Sequence, residues 1–288
     1  MRDELYAELV KVDRGTGQLL SRARIGMLAL GAGRLPLVNP AAFRFGGGAV
    51  WMTTSRHATK LALARRDPRA AFLVEDEERA VVLEGQLETF DPRSLDSQLR
   101  AALEGPGFAW NLAGYALKNV SYIGGYLLDL ASIPAEWWPH NRALLRLRVE
   151  RVRQLRTDRA LLEPLGTGAR LAAVPAEAAR SLEGAVGYLC WPTPRGLTLA
   201  PAGWSPEGDD VLLQLPPSVG RGPSAASPCA LVVERHHPYR ATRMVGACLR
   251  GHLAEESVGG LRLAVEQVTW WRGFKVRTQA VRRGAVAR

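Results

Sequence analysis

The sequence contains little cysteine or histidine and has no long uncharged run. Among its 288 residues are three cysteines and five histidines. Cys190, Cys229 and Cys248 form no CxxC pair and lie in apolar stretches typical of strands, so we expect buried, reduced thiols and a cytoplasmic protein. No uncharged run reaches the roughly 20 residues that cross a bilayer. The charged, helix-like start, MRDELYAELVKVDRG, is unlike a secretion signal, and we expect no membrane partner.

Motifs for metal binding and for several kinds of catalysis are also missing. His236 and His237 are the only close histidine pair, and no nearby carboxylate or cysteine completes a ligand set, so no metal site is predicted. The patterns GxSxG, GK[ST] and HExxH do not occur. The sequence therefore gives no sign of serine-hydrolase, P-loop or zinc-peptidase chemistry.

Basic residues are in excess. Lys plus Arg outnumber Asp plus Glu by 38 − 28 = 10, mostly as scattered arginine. Such a balance attracts nucleic acid, acidic membranes or phosphorylated small molecules, and it is equally ordinary for a soluble protein with a basic surface. Aromatic residues are not interleaved with the basic ones as they are in single-strand binders, so we expect no nucleic-acid partner.

The chain repeats itself in order. Three residue pairs share an offset of 161: Gly26 with Gly187, Arg34 with Arg195, and Pro40 with Pro201. Later, VLEGQL resembles CLRGHL at an offset of 251 − 85 = 166, and RLRVERV resembles RLAVEQV at 266 − 150 = 116. We therefore predict two copies of one fold, in domains 1–158 and 159–288. The drop of 166 − 116 = 50 places an insert at about residues 90–142 of the first copy.

Short apolar segments broken by turn residues make up each copy, which favours an antiparallel barrel or sandwich. One helix, over residues 55–66 with Ser55 as its N-cap, is predicted in the first copy and ends at Asp67-Pro68. The insert contains two helix-like stretches. They would line a pocket, form a lid or, as we favour, pack outside the barrel. The predicted fold class is mainly β with helices.

The stretch MTTSRHATK, where a strand gives way to this helix, is rich in groups that bind anions. Unpaired amides at a helix start favour an anion, and Thr53, Thr54 and Ser55 add hydroxyl donors. Arg56 and Lys60 add positive charge. The stretch predicts a phosphate cradle, although a well-capped, solvated helix start has the same composition.

The first copy contains four characteristic stretches in a fixed order: GRLPLVNP, FRFGGGAVWMTT, RHATKLALARRDPRAAFLV and VLEGQL. The order resembles the pyridoxamine 5′-phosphate oxidase-like split-barrel superfamily, which includes flavin- and deazaflavin-dependent oxidoreductases. The resemblance covers residues 24–90. It implies that Thr53, Thr54, Arg56 and Lys60 hold the cofactor phosphate. It also implies that the backbone of one strand lies against the ring system; that strand comprises Pro36, Leu37, Val38, Asn39 and Pro40.

Members of that superfamily are usually homodimers with cofactors between two barrels, so the resemblance implies a dimer fused into one chain, a monomer open to further oligomerisation. The second copy has QLPPSVGRGPSAASP where the first has its cradle, and its prolines exclude the helix. We therefore predict one retained FMN-binding site in two split β-barrel repeats. Trp270, Trp271 and Arg272, with Phe274, are the candidates for a contribution from the second copy; barrel packing would equally explain the tryptophans.

The function that the resemblance implies is oxidoreduction of a small organic substrate with FMN. A flavin ring carries the hydride chemistry itself, so the absence of paired catalytic carboxylates is uninformative, and no catalytic residue is assigned. Three alternatives remain open: a reductase that uses the deazaflavin coenzyme F-420, a haem-binding split barrel with His140, His252 or the 236–237 pair as ligand, and a non-catalytic binding protein.

Overall fold

The computed structural model describes residues 12–157, 171, 173–220, 222–237, 239–255 and 261–281. The helices are α1 (Arg14–Arg22), α2 (Thr59–Arg66), α3 (Leu95–Leu103), α4 (Pro106–Lys118), α5 (Val120–Leu128) and α6 (Ala176–Leu182). The strands are β1 (Ile25–Leu30), β2 (Leu37–Gly46), β3 (Ala49–Ser55), β4 (Arg69–Glu75), β5 (Arg79–Phe90), β6 (Arg142–Arg156), β7 (Gly187–Thr193), β8 (Gly196–Glu207), β9 (Asp210–Gln214), β10 (Pro228–Arg235), β11 (Val245–Glu255), β12 (Leu261–Arg272) and β13 (Lys275–Ala280). The predicted helical residues 1–11 and the predicted boundary at 158/159 lie outside the described residues.

The first six strands close into an antiparallel barrel in the order β1-β2-β3-β6-β5-β4. Side chains alternate across each strand, so one set fills the interior of the barrel. Phe43, Phe72 and Leu145 are among these interior residues and are fully buried. The other set points outward, which leaves a second apolar surface available for packing.

A second ring of strands has the same order. It runs β7-β8-β9-β12 and returns through β11 and β10, since β11 pairs with both β10 and β12; β13 extends it as a hairpin on β12. The two rings also share an irregularity, because the register shifts at Glu84/Gly85 in one and at Arg250/Gly251 in the other. A Cβ on Gly85 or Gly251 would lie 1.9 Å from a backbone oxygen, so both positions require glycine. The predicted fold class, two split-barrel repeats, is confirmed.

The two barrels lie against each other through reciprocal contacts. β8 of the second barrel packs on β4 and β5 of the first, and β2 of the first packs on β10 and β11 of the second. Outward-facing residues of the first barrel, such as Val38 and Leu73, join one apolar cluster with the second barrel. An approximate two-fold axis between the barrels would produce this pattern.

The insert is helical, as predicted, and lies between the ends of β5 and β6. It consists of α3, α4 and α5 followed by three 3-10 turns at Leu130–Ser132, Ala135–Trp137 and Pro139–Asn141. α4 packs on β2 and β3, whereas α5 meets the Ala241–Arg243 turn of the second barrel. Asp129 accepts hydrogen bonds from Arg240 and Thr242 there. The insert therefore bridges the two barrels.

The predicted start of the helix after β3 is wrong. Ser55 is the last residue of β3, and α2 begins at Thr59 with Ala58 as an N-cap that makes no side-chain hydrogen bond. Ser55 does not cap because its hydroxyl donates to the carbonyl of Glu136 in the insert, 2.5 Å away. The end of the helix at Asp67-Pro68 agrees with the sequence.

Two other expectations are met. All three cysteines are free and buried, in β7, β10 and β11. The described residues between β9 and β10 form one 3-10 turn, Pro217–Val219, where the first barrel has α2. Within the described ranges, no helix combines the length and apolar character that a membrane crossing requires.

Candidate functional site

The cradle predicted after β3 lies beside the first residues of β6. The two strands pair antiparallel, with Thr54 opposite Ala143 and Ser55 opposite Arg142. Arg142 turns its guanidinium to the cradle, and its Nη2 donates to Thr53 Oγ1 over 2.9 Å. Arg142 was not predicted, because the insert separates it from the cradle in sequence. Only the pairing of β3 with the strand that follows the insert would have indicated it.

Two cations meet here without a counterion. Lys60, on the first turn of α2, and Arg142 are both half-buried. Burial, and then the positive charge of Arg142, lower the pKa of Lys60 to about 8. Within the described ranges neither residue has a carboxylate partner. Lys60 is therefore not a freely solvated residue of the helix start, and an anion would stabilise this pair.

Threonine hydroxyls complete the cradle. Thr53 Oγ1 lies 3.1 Å from the hydroxyl of Tyr115 in α4, in addition to its bond from Arg142. Thr54 is almost fully buried, and its Oγ1 has no hydrogen-bond partner in the part of the chain that the structure describes. Thr54 follows Val50 and Met52 on the face of β3 that points into the barrel, so its hydroxyl lies on the opposite face of the strand from that of Thr53.

Ser55 and Arg56, the other predicted cradle residues, hold neighbouring elements in place. Ser55 Oγ bonds to the insert and also accepts from the amide of His57. The Arg56 guanidinium pairs with the buried Asp91 at 2.9 Å, at the point where the insert leaves β5. The side chains of Ser55 and Arg56 thus bond to other residues of the same chain.

The strand expected to face a ring system is part of the contact between the barrels. Val38 is fully buried there. Arg250 of the second barrel donates to the carbonyl of Pro36 over 2.8 Å. Asn39 and Pro40, nearer the cradle end of β2, are half-buried, as is Leu37. The second barrel thus covers Pro36 and Val38, whereas Asn39 and Pro40 are less buried.

The candidates from the second barrel lie in three different environments. Trp271 packs in the core of that barrel against Gly246. Trp270 is partly buried, and its Nε1 has no partner among the described residues. Arg272 is exposed and pairs with Glu177 of α6 at 2.7 Å. Among the described residues, no hydrogen bond or ion pair joins any of these three side chains to Lys60.

Phe274 brings the second barrel near the cradle instead. Its ring packs 5.3 Å from that of Trp137 and 6.0 Å from that of Tyr126, measured between centroids. The Tyr126 ring in turn lies 5.8 Å from the guanidinium carbon of Arg142. A short aromatic chain through the insert therefore links the second barrel to the cradle.

A cavity of about 650 Å³ lies where the two barrels meet. Its lining combines the start of β1 and the end of β4 with the matching ends of β7 and β10. Glu234 is a lining residue, and neither oxygen of its buried carboxyl has a hydrogen-bond partner within the described ranges. Burial raises the pKa of Glu234 to about 8, so the group is protonated at neutral pH.

Tyr122 of α5 connects the cavity to the cradle. Its pKa is raised, first by burial and then by Glu234, which is ionised at the higher pH where a tyrosine titrates, while the charge of Arg142 opposes the shift. The hydroxyl itself donates to the sulfur of Met244 over 2.8 Å. Tyr122 is thus within electrostatic range of both Glu234 and Arg142.

The two rings of six antiparallel strands, packed face to face, define the chain as a pair of split barrels. No protein-family model matches the chain, and no curated protein matches it. Solved structures that resemble it include a pyridoxamine 5′-phosphate oxidase-related, FMN binding protein from Nostoc punctiforme PCC 73102, with 15% identity over 67% of this chain and 98% of that one and a TM-score of 0.36.

Two further similar structures are a conserved hypothetical protein from Mycobacterium tuberculosis and an F-420 reductase. The first is 21% identical over 57% of this chain and 96% of its own, with a TM-score of 0.36. The second is 21% identical over 49% and 98%, with a TM-score of 0.33. Since their TM-scores are below 0.5, the fold is assigned from the strand order of this chain.

Proposed function

We propose that the chain is an oxidoreductase that binds a flavin-type cofactor, with FMN as the first candidate. Its phosphate would be held by Lys60, Arg142 and the hydroxyls of Thr53 and Thr54. The observation that carries the proposal is the pair of half-buried cations without a carboxylate partner among the described residues, one of which donates to the Thr53 hydroxyl. A phosphate supplies the negative charge and the acceptor oxygens that these groups lack.

Binding of a phosphate changes the electrostatics of the cradle in a definite direction. In the free protein, the charge of Arg142 and burial disfavour the ammonium form of Lys60. A dianion between the two side chains reverses that effect and raises the pKa of Lys60. The amides at the start of α2, which lacks a side-chain cap, add donors to the same anion.

The rest of the cofactor would extend from the cradle toward the contact between the barrels. A bound flavin supplies the hydride chemistry through its ring, and the protein supplies binding and orientation. The half-buried Asn39 and Pro40 would flank it on one side, and the protonated Glu234 would hold a proton on the other. The insert, through Tyr115 and Tyr126, would shield the site from water.

The deazaflavin coenzyme F-420 is the second candidate for the same site. Its tail is acidic, which suits a chain with a net charge of +10. The absorbance spectrum of the purified protein separates the possibilities, since FMN, deazaflavin and haem absorb differently. A colourless protein that binds none of them when titrated would contradict the proposal.

Cofactor binding is expected to saturate near one molecule per chain. The described residues between β9 and β10 form a 3-10 turn where the first barrel has α2, and none of these described residues is basic. Fluorescence titration of the purified protein with FMN measures this number. Two equal sites per chain would contradict the asymmetry, and the Lys60→Ala variant, in which only the first cradle changes, identifies which site is filled.

A further inference from the structure

The outer face of α4 has a reversed polarity for a surface helix. Its exposed residues are all apolar or glycine: Pro106, Gly107, Ala109, Trp110, Leu112, Ala113, Ala116 and Leu117. Its polar residues face the protein instead. Tyr115 contacts Thr53, and Lys118 donates to the carbonyl of Leu20 over 2.7 Å. Surface helices normally turn their polar side chains to water, so this face is built for a partner.

Neighbouring helices of the insert also expose apolar side chains. On α3, Leu95, Leu99 and Leu103 recur every four residues and are exposed, Leu103 by 86%. Trp110 and Leu117 of α4 are exposed by 73% and 75%. Together with Leu127 and Leu128 of α5, also exposed, these side chains expose on the order of 1,000 Å² of apolar surface in total, and large exposed apolar areas mark interaction sites.

We propose that this apolar face of the insert, centred on α4, is the interface of a homodimer. A standard interface takes about 800 Å² from each partner, which the face can supply. The small residues Ala109, Ala113 and Ala116 alternate with Trp110 and Leu117. Two copies of α4 can therefore approach closely about a two-fold axis, each placing large side chains over the small ones of the other.

The charge of the insert favours a second copy of the chain, and not an anionic membrane, as the partner of this face. Residues 91–141 contain three basic and five acidic residues, whereas the whole chain carries +10. The basic residue of α3, Arg100, pairs with Asp96, and Glu104 after α3 pairs with Arg146. An interfacial helix that binds anionic lipid needs a cationic rim, and the insert has the opposite balance. An uncharged face also lets two basic chains associate without repulsion at the contact.

Sedimentation equilibrium of the full chain tests the proposal. The parent is expected at twice 31.4 kDa, and Trp110→Arg and Leu117→Arg are expected to raise the dimer dissociation constant at least tenfold with unchanged thermal melting. Val276→Arg is the matched control, because Val276 is an apolar residue of β13 that is 55% exposed. A parent that stays monomeric at tens of micromolar, or a Val276→Arg variant that dissociates as readily, overturns the proposal.

Two further measurements exclude other occupants. Ala113→Cys is expected to cross-link two chains under mild oxidation, since Ala113 lies near the middle of α4 and the three native thiols are buried. Flotation with anionic phosphatidylserine vesicles should leave the protein unbound, and binding that Trp110→Arg abolishes would assign the face to membranes. Removal of residues 1–11 should leave the protein dimeric. A parent that is monomeric and dimerises only after this removal would show that the segment covers the face.

Discussion

Replacing Lys60 or Arg142 with alanine will each weaken FMN binding by roughly ten- to over a hundredfold, because a hydrogen bond to a charged group contributes about 1.5–3 kcal/mol. The cradle holds both cations half-buried, so solvent screens their contact with a phosphate less than at an exposed site. Thr54→Ala should cost less, since an uncharged donor contributes less than a charged one. Dissociation constants from FMN fluorescence quenching at matched salt, alongside thermal melts, measure these effects.

Two exposed cations serve as controls for general charge effects. Lys275→Ala on β13 matches Lys60→Ala, and Arg66→Ala at the end of α2 matches Arg142→Ala. Both should bind FMN as the parent does. The pH dependence adds a separate signature: affinity of the parent should fall above about pH 8, where Lys60 of the free protein loses its proton. If the controls lose as much as the cradle variants, the site lies elsewhere.

Glu234→Gln is expected to stabilise the free protein at pH 8 by a few kcal/mol and to change little near pH 4.5. The unfolded glutamate ionises near 4.5, whereas burial raises the pKa in the folded state to about 8. Between these values the folded state binds more protons than the unfolded state, so the stability of the parent falls as pH rises. Each unit of pKa difference corresponds to about 1.4 kcal/mol, and glutamine removes this loss.

Urea unfolding at intervals from pH 5 to pH 9 checks this expectation. The parent should lose stability as pH rises to about 8, and the difference between variant and parent should grow over the same interval. Glu78→Gln, a substitution at an exposed glutamate of the turn after β4, is the matched control and should follow the parent. A Glu234→Gln variant that runs parallel to the parent at every pH would show that the carboxyl ionises normally in the fold.

Local sequence patterns were sufficient to predict the strands and their repetition. Short apolar segments broken by turn residues indicated a barrel or sandwich, and ordered pairs such as Gly85 and Gly251 related the two halves. The resemblance of residues 24–90 to split-barrel proteins selected the barrel. Those glycines recur because each lies against a backbone oxygen at a shift of register, where no side chain fits. The insert was placed correctly because the change in offset counts residues and does not depend on their conformation.

The candidate site could be predicted only in part, because much of it comes from residues that are distant in sequence. Thr53, Thr54 and Lys60 are close together along the chain, so a motif reveals them. Arg142 joins them through strand pairing across the insert, which no local motif contains. Glu234 lies in a cavity that forms only where one barrel packs on the other. The prediction of Ser55 as an N-cap was wrong because its hydroxyl donates to the carbonyl of Glu136, which is distant in sequence.

The reciprocal packing of the barrels has a consequence for how this chain behaves on dilution. Two separate barrel subunits would part as their concentration fell, whereas barrels on one chain see each other at a fixed effective concentration. The contact between the barrels therefore stays assembled at any protein concentration. Each half is also encoded once, so a substitution in the second barrel leaves the first unchanged. A mutation in a symmetric pair alters both sites together, but here the region between β9 and β10 can lack a helix while α2 and Lys60 remain.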